Sequence, residues 1–192
     1  MAPHGTAHAP LPAASEWIQR WSHLVPAGGS VLDVACGHGR HMRWFYERKH
    51  PVTGIDKAPE AIESIAPWGA TIVADIEAWP LRGQRFAGVV VTNYLWRPLL
   101  PTIVDSVAHG GVLLYETFAV GNETVGRPAR AEFLLRPGEL LQACRDLRIV
   151  AYEEGFLDAP ARFVQRIAAV RPAPSMDGPL RAPLRAPLQG PV

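Results

Sequence analysis

The sequence predicts an α/β fold: a mostly parallel sheet with helices on both faces, closed by an antiparallel strand hairpin at its C-terminal edge. Three observations predict it. Short apolar runs alternate with segments of helical periodicity from residue 31 to residue 147. Those runs are continuously apolar rather than alternating, as strands buried on both faces are. The last two runs, "LRIVAYEE" and "ARFVQRIAAV", have no helix between them, so they pair antiparallel.

The elements follow in order. Val31 to Ala35 comes after the turn cluster Pro26-Ala27-Gly28-Gly29 and reads as a buried strand. "RHMRWFYERK" places Met42, Phe45, Tyr46 and Lys49 at helical spacing. "PVTGID" is a second strand ending at Asp56, "APEAIESIA" a helix with Ile62, Ile65 and Ala66 on one face, and "ATIVAD" a third strand ending at Asp75. "FAGVVVTN" is the fourth strand. "RPLLPTIVDSVA" reads as a helix whose prolines fall in the first turn, where they are tolerated. "GVLLYET" is the fifth strand, and "RPGELLQACRD" a helix with Pro137 at its first position. Trp17 and Trp21, four apart, predict an N-terminal helix with Leu24 or Val25 one turn on, packing as core or lid.

The chain's 192 residues suit one domain with a full core. Residues 1–13 read as a disordered leader, 14–171 as the folded domain, and 172–192 as a Pro-rich disordered tail. The formal charge of +1 draws in neither nucleic acid nor a membrane surface. No apolar stretch approaches the roughly 20 residues of a membrane span. The N-terminus lacks the basic and apolar regions of a signal peptide. Two distant cysteines, Cys36 and Cys144, fit a reduced, cytoplasmic protein.

In an open α/β sheet the ligand binds outside the carboxyl ends of the strands. "VLDVACGHGRH" puts a glycine turn there. Gly37 and Gly39 let backbone approach a ligand, and the helix starting near Arg40 aims free N–H groups at the same place. Asp33 precedes the turn, while Asp56 and Asp75 end the next two strands. Asp56 is placed for ribose hydroxyls and Asp75 for an adenine amino group. Cys36, His38 and His41 have a metal-like spacing, but they lie on one loop and the first helical turn and do not easily converge. The expectation is no metal, with Cys36 a buried filler.

"VLDVACGHGRH", "GIDKAP", "ADIEAWPL" and "VVVTNYL", in this order, resemble the class I S-adenosylmethionine-dependent methyltransferases. The resemblance spans nearly the whole folded domain. It implies a Rossmann-like sheet of seven strands in the order 3-2-1-4-5-7-6, with the last reversed. In the family's acid-x-Gly-x-Gly-x-Gly motif Asp33, Gly37 and Gly39 match, and Ala35 replaces the first glycine. The implied cofactor is S-adenosylmethionine, with S-adenosylhomocysteine as product. Its implied binding residues are Asp33, Ala35, Gly37, Gly39, Asp56, Lys57, Asp75, Ile76 and Asn93. "NYLWRPLLP", "LLYETF" and "GNETVGRP" also look like a bacterial subgroup likened to tellurite-resistance methyltransferases.

The resemblance implies methyl transfer, and a small-molecule acceptor is the expectation. The candidate bases are Tyr94 and Glu116, each with a structural alternative: Tyr94 packing over the cofactor, Glu116 capping a loop. Arg97, Arg127, Arg130 and Arg136 form a candidate anion-friendly rim, with solvated surface arginines as the alternative. The segment Phe118 to Leu135 reads as a roof over the acceptor. Other readings are a non-catalytic S-adenosylmethionine-binding module and a methyltransferase acting on protein or RNA. Nucleic acid is disfavoured, because Asn93-Tyr94-Leu95-Trp96 lacks both prolines of the amino-methylating motif and no Lys/Arg-rich stripe is present. A nicotinamide dehydrogenase is disfavoured because Met42 stands where its third glycine or alanine belongs. The sequence leaves the oligomeric state open.

Overall fold

A computed structural model describes residues 11–174 and 181–186. The leader's residues 1–10 and the tail's residues 175–180 and 187–192 lie outside the described residues. The strands are β1 (Val31–Val34), β2 (Val52–Asp56), β3 (Ala70–Val73), β4 (Phe86–Thr92), β5 (Val107–Phe118), β6 (Arg148–Asp158) and β7 (Ala161–Val170). They form one seven-stranded sheet in the order β3-β2-β1-β4-β5-β7-β6. β1 to β5 pair parallel, and β7 runs antiparallel to both β5 and β6. This is the expected order with the expected hairpin.

The helices are α1 (Glu16–Trp21), α2 (Arg40–Glu47), α3 (Pro59–Ile65), α4 (Leu100–Asp105) and α5 (Glu139–Ala143). Each sheet face carries its own core. Trp17, Ile18 and Trp21 of α1 pack with Met42 and Phe45 of α2 and Ile62 and Ile65 of α3 over Val31, Val90, Val112 and Leu114. On the other face α4 and α5 contribute Leu100, Ile103, Val104 and Leu140 over Leu32, Val34, Val89, Val91, Leu113 and Tyr115. Successive strand residues thus go to opposite layers, and both layers are apolar, which is why the strand runs read as unbroken.

Several boundaries differ from the sequence reading, each for a local reason. The segment from Arg97 is not one helix: a 3₁₀ turn, Arg97–Leu99, precedes α4, and Val107 and Ala108 belong to β5. Strand five therefore begins earlier than "GVLLYET", and its pairing with β4 shifts register between Phe86 and Gly88. Pro137 is not the first residue of α5. Gly138, at φ +69°, forms the cap and the helix starts at Glu139. β3 ends at Val73, two residues short of Asp75, which caps a 3₁₀ turn at Ile76–Ala78. Tyr46 is half exposed and Lys49, at φ +66°, lies beyond the end of α2, so only Met42 and Phe45 of that predicted face are buried.

α1 is core. Trp17 is 1% exposed, its Nε1 donates to the Ile167 carbonyl at 3.1 Å, and the Arg166 guanidinium lies 5.2 Å from its ring centre. Trp17→Ala is expected to lower the unfolding free energy by about 3–5 kcal/mol, the cost of emptying a large aromatic site, and urea denaturation measures it.

Candidate active site

The turn after β1 is held by backbone geometry and one carboxylate. Ala35 and Gly37 have φ of +55° and +50°, in the left-handed region. For Ala35 that conformation is strained, and it explains why the resembled motif has glycine there. Asp56, at the end of β2, accepts the Gly37 N–H on Oδ2 at 2.8 Å and the Ala58 N–H on Oδ1 at 3.0 Å. Gly39 serves packing: a Cβ on it would stand 2.6 Å from Cγ2 of Ile65 and 3.2 Å from Trp68. A Cβ on Gly37 would meet nothing within 4 Å.

A cavity of about 740 Å³ lies over these strand ends. One half is lined by Ala35, Asp56, Lys57, Asp75, Ile76 and Asn93. The other half is walled by Tyr94, Trp96, Pro98, Phe118, Pro128 and Phe133, with Leu95, Arg97, Thr117 and Glu132 between them. Glu77 lines it as well, on the 3₁₀ turn that Asp75 caps by accepting the Glu77 N–H at 3.0 Å. Seven predicted site residues thus meet in one cavity: Ala35, Asp56, Lys57, Asp75, Ile76, Asn93 and Tyr94. Gly37 adjoins it through Asp56. Asp33, Gly39 and Glu116 are not among its lining residues.

Asp33 lies beneath the turn, 2% exposed, with Oδ2 unpartnered and Oδ1 4.0 Å from Nδ1 of His41. Burial pushes its carboxyl up to about 7. His41 accepts the Ser15 N–H on Nε2 at 3.2 Å, so its proton sits on Nδ1 and the ring is neutral. Burial, with Arg40 nearby, drives the imidazole down to about 3. Burial also raises the Cys36 thiol, with the charges of Asp33 and Asp56 adding to it, which disfavours a thiolate at Cys36. His38 is exposed, and among the described residues no group of three or more His, Cys, Asp and Glu is arranged to hold a metal.

Glu116 is 1% exposed on the α1 side of the sheet. It accepts from Ser15 Oγ at 3.1 Å and from Arg166 Nη1 at 3.3 Å, and Arg162 lies 3.8 Å away. Doubly ion-paired and off the cavity, it is placed to brace α1 rather than to take a proton. Tyr94 does face the cavity, and its Oη is buried without a partner. Burial, with Glu77 and Asp75 adding to it, pushes this phenol up to about 12, so it stays protonated and can donate. Arg97 forms a two-point pair with Glu139 at 2.7 and 2.9 Å and donates to the Glu132 and Leu134 carbonyls at 2.8 and 2.7 Å. Arg130 is paired with Glu132. Neither Arg127, Arg130 nor Arg136 lines the cavity, so of the predicted anion-friendly rim only Arg97 reaches it, already engaged.

Sequence reasoning missed the aromatic wall. The sequence offers Phe118 and Phe133 only as parts of a roof segment, and Trp96 only as the end of Asn93-Tyr94-Leu95-Trp96. The available signal was the apolar run Phe133-Leu134-Leu135 closing an otherwise mostly polar segment.

The family model described as "Methyltransferase domain" matches residues 31–111. The structure of TehB from Haemophilus influenzae is similar at 21% identity and a TM-score of 0.65, over 78% of this chain and 60% of that one. The chain thus spans less than two thirds of that protein. A TehB-like S-adenosylmethionine-dependent methyltransferase from Corynebacterium glutamicum is similar at 18% identity and a TM-score of 0.59, over 78% and 84%. An S-adenosylmethionine-dependent methyltransferase from Methanosarcina mazei is similar at 14% identity and a TM-score of 0.66, over 84% and 100%. Residues 31–111 thus match a methyltransferase domain, and the seven-stranded fold is shared with solved S-adenosylmethionine-dependent methyltransferases. Among the described residues no helix is long and apolar enough to cross a membrane.

Asp33 and His41 oppose each other in acid. The unfolded reference values are 3.8 for the acid and 6.5 for the imidazole. Between them the native Asp33 keeps a proton that the unfolded chain has lost, so its contribution falls as pH rises. Native His41 refuses a proton that the unfolded chain holds, so its contribution rises with pH. The two cancel in the wild type. Asp33→Asn is expected to leave a rise, relative to wild type, of about 1.4 kcal/mol per pH unit, and His41→Gln a fall of similar size. Urea unfolding across this window reads both.

Proposed function

We propose that this chain transfers the methyl group of S-adenosylmethionine to a small-molecule acceptor. The observation that carries the proposal is the single cavity, with an acidic half over β1 to β3 and an aromatic half over β4 and β5 under the segment 119–135. The acidic half fits the cofactor: Asp56 has a lone pair left on each oxygen for ribose hydroxyls, Asp75 and Ile76 flank the adenine position, and carboxylates suit a sulfonium cation. Lys57 and Asn93 border the same space. When bound, the cofactor supplies an activated methyl group.

The chain's own contribution is placement. Tyr115 donates its hydroxyl to the Tyr94 carbonyl at 2.8 Å, and the Asn93 N–H bonds the Glu116 carbonyl at 2.9 Å. These bonds fix the backbone after β4 where cofactor and acceptor meet. Holding the reactants in line replaces a bimolecular encounter, and such positioning contributes up to about 7–11 kcal/mol. Neither candidate base from the sequence is set up to take a proton in the cavity, since Tyr94 is a raised phenol and Glu116 is ion-paired away from it.

Asp56→Ala is expected to weaken S-adenosylmethionine binding by about 1–3 kcal/mol, the cost of leaving buried polar groups unpaired; calorimetric titration measures it, and unchanged affinity would remove the ribose assignment. Glu116→Gln tests the brace. It is expected to cost about 1–3 kcal/mol of stability by removing the charge that Ser15 and the partly exposed Arg166 and Arg162 meet, while the folded variant keeps the wild-type shape of its pH–rate profile. A lost acidic limb in that profile would restore Glu116 as the base.

A further inference from the structure

The acceptor half of the cavity has a definite chemical character. Tyr94, Trp96, Phe118 and Phe133 present four aromatic rings to it, and Pro98 and Pro128 add apolar surface. The charged side chains that line the whole cavity are four carboxylates, Asp56, Asp75, Glu77 and Glu132, against two cations, Lys57 and Arg97. Neither cation is free for an anion in the acceptor half. Lys57 follows Asp56 at the end of β2, on the opposite half. Arg97 has Nε, Nη1 and Nη2 all bonded, to Glu139 and to two carbonyls. Arg130, the next nearest candidate, is paired with Glu132 and lies with its guanidinium 5.1 Å from the Phe133 ring centre.

An anionic acceptor entering here would leave water for carboxylates and ring faces, with no donor cation to receive it. A basic nitrogen meets the reverse: ring faces attract cations, and Glu77 adds charge of the favourable sign. Burial first, and then the charges of Glu77 and Asp75, hold the Tyr94 phenol protonated beside this wall.

From this juxtaposition we infer that the acceptor is an amine carried on a flat aromatic body, seated among Tyr94, Trp96, Phe118 and Phe133, and that oxyanions are excluded. The inference rests on the methyltransferase reading above. In the transfer the neutral amine's lone pair forms the new N–C bond to the methyl carbon. The C–S bond breaks and its electron pair stays on sulfur, which becomes the uncharged thioether of S-adenosylhomocysteine. The ammonium so formed gives its extra proton to water at the cavity mouth, where Trp96 and Phe133 are partly exposed.

The test uses the full chain saturated with S-adenosylhomocysteine and two probes of like size and opposite charge: phenyltrimethylammonium, which cannot be methylated, and benzoate. Calorimetry is expected to find the cation binding and benzoate not, with Trp96→Ala and Phe133→Ala each weakening the cation roughly 3- to 30-fold. In turnover with S-adenosylmethionine, benzylamine above its pKa should release S-adenosylhomocysteine and selenite should not. Benzoate binding as well as the cation, neither probe binding to the loaded protein, or turnover of selenite alone would each overturn the inference and leave the methyltransferase reading intact. Failure of S-adenosylhomocysteine itself to bind would instead bring down the reading on which the inference rests.

Discussion

The Asp56 carboxylate joins three pieces of backbone. It ends β2, takes the N–H of Gly37 from the turn after β1, and takes the N–H of Ala58 where α3 begins. Without an acid there, two amide groups next to a cavity would lack partners, and the turn would have no reason to hold the left-handed conformations of Ala35 and Gly37. The remaining acidic half follows from this tie. With the turn fixed, α2 starts at Arg40 against Ile65 and Trp68, and only a glycine at 39 allows that approach. The acid that shapes the turn is also the one whose free lone pairs face the cavity, so local folding and the proposed ligand contact draw on the same group.

A second buried polar set holds the opposite side of the sheet. Ser15 donates its N–H to His41 and its hydroxyl to Glu116, and Glu116 meets Arg166 and Arg162. Arg166 in turn holds Glu153 of β6, which also binds Arg20 of α1. The start of α1 is thereby pinned to the carboxyl end of β5, and its flank to the outer edge of the sheet. Glu116 is the buried centre of this set, so stripping its partners costs more than breaking the outer pair of Arg20 and Glu153, which solvent screens.

The strands and the two covered faces were legible in the sequence because they depend on period and burial, which residue type reports directly, whereas the strand order came only with the family resemblance. The hairpin of β6 and β7 was legible because no helix-length segment separates those runs. Boundaries were less so. Val107 and Ala108 could continue α4 by apolarity alone, and it is pairing with β4 that draws them into β5. Along the cavity, residues at strand ends were found because a strand end is a fixed address, as with Asp56 and Asn93. The position of Glu116 shows the limit: it also nears a strand end, but the pleat turns it to the far face, toward Ser15 and Arg166. The ring of Phe133 depends on how a non-repetitive segment folds back, and no periodicity encodes that.

The segment over the acceptor half is fastened. Arg97 grips its Glu132 and Leu134 carbonyls, Asn122 bonds both the Pro128 carbonyl and the Phe163 N–H, and Ala119 bridges Leu135. Lifting it would break all of these at once. The pocket is therefore assembled before any ligand arrives, and the ordering entropy that a flexible cover would lose on closing has already been lost in folding. A ligand would therefore meet Trp96, Phe118 and Phe133 already in place, its shape tested against a finished wall.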